Sequence, residues 1–196
     1  MAITKKGIEK KEYIVEKAAA VFVQKGFTAV TMEDIVEACG ISRGGLYAYY
    51  SSTKEIFEDI VFREKNVDYS FFTEGMENEK NSIQILTGFF EQQKNELLRL
   101  DTTIRRAVYE FFLFHKEAAL EDAVKQNYRE TVSIISRTLA YGIARNEIYK
   151  ITFEDTEKVA NHMIILLEGL SILALSKQIS RDLIDEQLEI MIKNLI

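Results

Sequence analysis

The chain of 196 residues has no proline, nine glycines, one cysteine and two histidines. Each scarcity excludes something. Proline is barred from helix interiors because it lacks the amide donor and clashes with the preceding turn, so its absence beside few glycines points to an almost wholly helical protein. The lone Cys39 cannot form an internal disulfide, which suits a reducing cytoplasm. His115 and His162 are far apart, and neither follows a glutamate by three residues, so no di-iron bundle motif is present. No glycine-rich phosphate loop occurs either. No catalytic residue, cofactor or metal is therefore expected. The N-terminus MAITKKGIEKKEY lacks the apolar segment of a signal peptide. The most apolar run, MIILLEGLSILAL at 163–175, is too short to span a bilayer and contains Glu168, so it is expected to be a buried or interface helix.

What is present is apolar material and charge, 47% and 29% of residues, in a chain long enough for one domain or two small ones. The net charge of −6 argues against nucleic acid, but it is unevenly placed. Residues 1–55 hold eight Lys/Arg against seven Asp/Glu, and the remainder 17 against 24. Lys5, Lys6, Lys10 and Lys11 crowd the first eleven residues with only Glu9 opposing them. That cluster reads either as an arm for a polyanion or as a solvated tail.

Helical periodicity and capping residues predict nine helices. The first covers 9–25 and stops at Gly26. Thr31 with Asp34 opens a second, whose apolar face is Met32, Ile35, Val36 and Cys39. Gly40 ends it, and Ser42 caps a third over 43–50. Ser52 and Glu55 form a capping box for a fourth, to about Phe72, followed by a polar loop at 74–81. Later helices are expected from Ser82 to about Arg99, from Asp101 to about His115, over 119–145 up to Asn146, from Thr152/Asp155 to about Lys177, and from Ser180 onward.

Two short helices joined by Cys39-Gly40-Ile41 make a helix-turn-helix, whose second helix enters the DNA major groove with its leading residues at base edges. Glycines there let the backbone approach DNA. Arg43 has the fork geometry that reads guanine O6 and N7, tyrosine hydroxyls donate to phosphates, and the helix N-termini at Thr31 and Ser42 suit phosphate. On an exposed face, Glu33, Asp34 and Glu37 would repel DNA.

The stretch TMEDIVEACGISRGGLYAYY followed by TKE resembles the TetR family of bacterial transcriptional regulators over residues 9–60, through the spacing of Gly40, Ser42, Gly44, Leu46, Tyr47 and Lys54. The resemblance implies an all-α fold: a helix-turn-helix DNA-binding domain over 1–55 and a helical effector-binding and dimerisation domain over 56–196. It implies base and sugar contacts at Arg43, Gly45, Ala48 and Tyr49, and phosphate contacts at Thr31, Tyr47 and Lys54. Leu46 and Tyr50 fall at core positions. Two departures stand out. Tyr50 replaces the usual phenylalanine, so its hydroxyl needs a partner. The link SST is one residue longer than usual and shifts Lys54.

In the second half, aromatic density suggests an apolar cavity with a few polar groups. Phe90, Phe112 and Tyr128 are its expected apolar members, and Arg105, Tyr109, His115, His162 and Glu168 its polar ones. Glu168 would then meet a cationic ligand, a histidine, or solvent at a subunit boundary. The last two helices look apolar on more than one face, which suggests a homodimer through Leu170, Leu173 and Ala174 with Ile184, Leu188, Met191 and Leu195. A dimer would place two recognition helices on a near-palindromic operator. The resulting expectation is a bacterial cytoplasmic repressor released from double-stranded DNA by an apolar or aromatic small molecule. The rivals are a helical enzyme or carrier with a vestigial DNA-binding half, and an activator or effector-free regulator.

Overall fold

The computed structural model describes residues 5–63, 69–115, 118–176 and 179–196, and among them every regular element is helical. The order is α1 (Lys5–Lys25), α2 (Met32–Cys39), α3 (Arg43–Tyr47), α4 (Thr53–Arg63), α5 (Ser70–Glu77), α6 (Ser82–Leu97), α7 (Arg105–Phe114), α8 (Ala118–Ala144), α9 (Thr156–Leu175) and α10 (Arg181–Lys193). Short 3-10 turns lie at Leu100–Thr102 and Phe153–Asp155.

The all-α expectation holds, with ten α-helices among the described residues in place of nine. The span expected as one helix to about Phe72 holds two, α4 to Arg63 and α5 from Ser70. The polar stretch from Glu74 looks like a loop, yet its first four residues extend α5 to Glu77, with Phe72 and Gly75 buried. A Cβ on Gly75 would come within 2.9 Å of the Ile85 side chain, so this glycine marks close helix packing and not a break. Glu79, at φ 55°, then turns the chain. Asn81, not Ser82, caps α6, accepting from the Ile83 and Gln84 amides at 2.9 and 3.4 Å, while Ser82 is buried. Near Asp101 the chain first makes a 3-10 turn that carries Leu100 inside, so α7 starts only at Arg105. The Thr152/Asp155 capping box is present, but it opens the second 3-10 turn, which leads into α9. The lysine cluster is no loose tail, since α1 already begins at Lys5.

The chain divides into two compact units: Met1–Asn66 with Asp101–Ala123, and Val67–Leu100 with Val124–Ile196. A boundary at 55/56 would cut through α4, whose Ile56, Phe57, Ile60 and Val61 are buried in the first unit. That core is aromatic. Phe22 and Phe27 meet Phe57 at ring-centroid distances of 4.8 and 5.0 Å, and Phe111 of α7 meets Phe27 at 4.8 Å and Phe57 at 5.2 Å. In the second unit, α6, α8, α9 and α10 share a core that includes Phe90, Ile135, Leu139, Met163, Ile184 and Leu195. The run 163–175 lies inside a longer apolar segment, Phe153–Leu175, that by length and composition alone could cross a membrane. Its Ala160, Met163, Ile164, Leu167 and Leu170 are instead committed to the core of the second unit.

Candidate nucleic-acid interface

The helix-turn-helix is assembled by caps. Thr31 has an extended backbone, its hydroxyl accepts from the Asp34 amide at 3.3 Å, and the Asp34 carboxylate accepts from the Thr31 amide at 2.9 Å. Lys25 closes the arrangement at 2.7 Å from Asp34. The Lys25 hydrogen bond, followed by those from the Thr31 amide and hydroxyl, holds the Asp34 carboxyl at about 2. Gly40 ends α2 in the left-handed region at φ 60°, and its amide donates to the Glu37 carbonyl at 3.1 Å. The Tyr13 hydroxyl donates to the Cys39 carbonyl at 3.1 Å and so fastens α1 to the turn. Ser42 caps α3 by accepting from the Gly45 amide at 3.1 Å.

The two adjacent glycines now separate. A Cβ on Gly45 would sit 3.1 Å from the Ser42 hydroxyl, so the cap itself asks for a small residue there. A Cβ on Gly44 would meet nothing within 4 Å, so no internal contact requires glycine at that position. Ser42, Arg43, Gly44, Tyr47 and Ala48 are exposed, as is Thr31, whereas Gly45 and Tyr49 are half-buried. Tyr49 packs in part against the core of the first unit. Leu46 is fully buried. Tyr50 is buried too, and its hydroxyl donates to the Asp59 carboxylate, the partner that its departure from phenylalanine requires. Burial, and then that hydrogen bond, push the Tyr50 hydroxyl well above the usual phenol range. Burial alone would raise Asp59, but the hydrogen bonds from Tyr50 and Arg63 leave it lowered. Lys54 lies 3.7 Å from Glu58 on α4. Lys5 and Lys6 stand in the first turn of α1, and their side chains fall outside the described residues.

Of the three carboxylates on α2, Asp34 is taken up in the cap and Glu37 is exposed. Glu33 pairs with the Arg43 guanidinium across the turn. A contact that sequence reasoning missed anchors the same motif from behind. Glu110 of α7 accepts from the Thr28 amide at 3.1 Å and from its hydroxyl at 3.2 Å, and pairs with Arg106 at 2.9 Å. Burial would raise the Glu110 carboxyl, yet these hydrogen bonds leave it lowered. Gly26 takes a φ of 77° that disfavours a side chain, and a Cβ there would fall 2.5 Å from the Glu110 carboxylate and displace it. The partners are 82 residues apart, so no local pattern announces them.

The expected ligand residues do not assemble within either unit. Arg105, Tyr109, Phe112 and His115 belong to the first unit, and Phe90, Tyr128, His162 and Glu168 to the second. His115 packs against Phe111, tilted at 4.8 Å, and edge-on to Phe27 at 5.2 Å, and so extends the aromatic core behind the helix-turn-helix. Phe90 is core, and the Tyr128 hydroxyl donates to Asn161. His162 and Glu168 are exposed on α9, so Glu168 is no buried carboxylate seeking a partner. A polar group that the sequence reading passed over does form in the second unit. The Tyr69 hydroxyl lies 2.7 Å from the Thr131 hydroxyl and donates to Asn127 Oδ1 at 3.0 Å, beside the apolar core. Among the described residues, no group of three or more His, Cys, Asp or Glu is placed to hold a metal.

The expected dimer residues need a correction. Leu170, Ile184, Leu188, Met191 and Leu195 are buried in their own chain's core and offer no surface to a second copy. Their spacing shows an apolar face but cannot show which neighbour covers it. Leu173 is exposed and Ala174 half-buried. The outward stripe of α9 is Ile165, Gly169, Ile172 and Leu173, and on α10 Ile190 is exposed.

Comparison with known proteins gives a consistent picture. Residues 14–60 match the family model described as bacterial regulatory proteins, tetR family, and residues 84–184 match a tetracyclin repressor-like C-terminal domain. An uncharacterized HTH-type transcriptional regulator of Bacillus subtilis, YfiR, is 31% identical over 74% of this chain and 71% of its own. The HTH-type transcriptional repressor KstR2 of Mycobacterium tuberculosis is 22% identical over 69% of each. Among solved structures, a TetR transcriptional regulator from Chloroflexus aurantiacus has a TM-score of 0.75 at 21% identity, covering 97% of this chain and 96% of that one. A Saccharomonospora viridis protein solved in complex with choline has a TM-score of 0.78 at 19% identity, covering 95% and 96%.

Proposed function

The chain belongs to the tetR family of bacterial regulatory proteins, and from that premise we propose that this DNA-binding transcriptional regulator is a homodimeric, cytoplasmic repressor released from a near-palindromic operator by a small molecule. The observation that carries this reading is the leading edge of α3. There Ser42, Arg43, Gly44, Tyr47 and Ala48 are exposed together, and Gly44 is a glycine that no internal contact requires. A bare, basic-led helix start is what close approach to base edges asks for.

A second copy would cover the exposed stripe Ile165, Gly169, Ile172 and Leu173 of α9, where Gly169 permits close helix approach. The repressor sign is supported by the likeness to KstR2. A small-molecule effector is supported by the choline complex of a protein with this fold, and its expected seat is the second unit, where an apolar or aromatic molecule would suit the apolar core. The neutral hydroxyl and amide groups of Tyr69, Asn127 and Thr131 supply hydrogen bonds at its apolar core. Only a molecule with different affinities for the DNA-bound and released states can shift the balance between them.

The deciding experiment is selection of bound fragments from random DNA with the purified protein. The reading predicts an inverted repeat with half-sites about one helical turn apart. Absence of enrichment at low salt refutes it.

A further inference from the structure

The DNA-facing edge of the motif carries a carboxylate where a polyanion is to bind. Glu33, in the first turn of α2, pairs with Nη2 of Arg43 at the start of α3, and both side chains are largely exposed, at 61% and 68%. A glutamate in the first turn suits the positive end of a helix, and that accounts for an acid at this position. It does not account for the acid's holding the one arginine at the leading edge of α3.

Arg43 has two kinds of acceptor on DNA. Guanine O6 and N7 carry sequence information, and phosphates do not. A long, free side chain at an exposed helix start reaches both. A guanidinium held through one nitrogen to α2 keeps its other donors near the start of α3 and reaches fewer outlying phosphates. We propose that Glu33 is a specificity-determining residue: by holding Arg43 it withdraws that guanidinium from the phosphates of non-operator DNA and reserves it for an operator guanine. This rests on the reading of α3 as the groove helix. Glu33 also repels DNA as a plain charge, but that repulsion does not depend on Arg43, whereas the tether does.

The test is a double-mutant cycle in the full-length protein: wild type, Glu33→Gln, Arg43→Ala and the double variant. Each is titrated with the selected operator and with a scrambled fragment of equal length at several salt concentrations. Glu33→Gln is expected to tighten binding to scrambled DNA at least about threefold more with Arg43 present than in the Arg43→Ala background. It should steepen the salt dependence on scrambled DNA by about 0.9, the slope of one further phosphate contact, and lower the operator-to-scrambled ratio. Equal tightening in both backgrounds would make Glu33 a plain repulsive charge and overturn the proposal, as would an unchanged ratio. If Arg43→Ala alters neither affinity, the reading of Arg43 at the groove fails first, and the proposal falls with it.

Discussion

At the scale of single residues, Gly44, Tyr50 and Asp34 do separable work. Nothing packs where a Gly44 side chain would go, so Gly44→Ala should fold as stably as wild type yet bind operator DNA more weakly. Unchanged affinity in a titration would show that the backbone makes no close approach there. Tyr50 is buried and donates to Asp59, so Tyr50→Phe should lower the unfolding free energy by about 1 kcal/mol, read from the denaturant midpoint at unchanged m-value. Asp34 sits at about 2 in the folded protein against an ordinary 3.8, so its stabilisation is complete above about pH 4 and is lost as pH falls toward 2. The gap in melting temperature between wild type and Asp34→Asn should therefore close over that window. A gap that persists at pH 2 would mean the cap does not depend on the charge.

At the scale of elements, the tie between α7 and the turn after α1 joins Glu110 to Thr28. Glu110→Ala removes the acceptor of two hydrogen bonds at an exposed turn, so a loss of about 1–2 kcal/mol is expected in chemical denaturation. Operator affinity should fall with it, because that turn leads directly to the Thr31 cap. The sequence made the motif half legible because its signals are local. Thr31 with Asp34, Gly40 and Ser42 each act within four residues, and all four do as expected. Failures came where the deciding partner is remote. Gly75 reads as a breaker until Ile85 is seen against it, and Glu110 reads as one more surface acid until Thr28 is. Residue type suggests a ligand site but carries no information on burial, which turns Phe90 inward and His162 and Glu168 outward.

At the scale of the whole molecule, the apolar faces of α9 and α10 have two destinations. Leu188 belongs to the chain's own core, and Ile172 is 53% exposed. Ile172→Glu should therefore leave the helical circular dichroism and its melting intact while shifting sedimentation from dimer to monomer. Leu188→Glu should unfold the second unit, since it buries an unpaired charge. A dimeric Ile172→Glu protein would move the proposed interface off this stripe.

The aromatic core behind the DNA-facing helices also has an order in time. Ala107 and Phe111 enter it from α7, some forty residues beyond the end of α4. A ribosome adds roughly 5–20 residues each second, so the leading segment waits several seconds for the pieces that complete it. A polypeptide broken off after α4 would carry the whole recognition motif without the side chains that seal its interior, and the Thr28 turn would lack its acceptor.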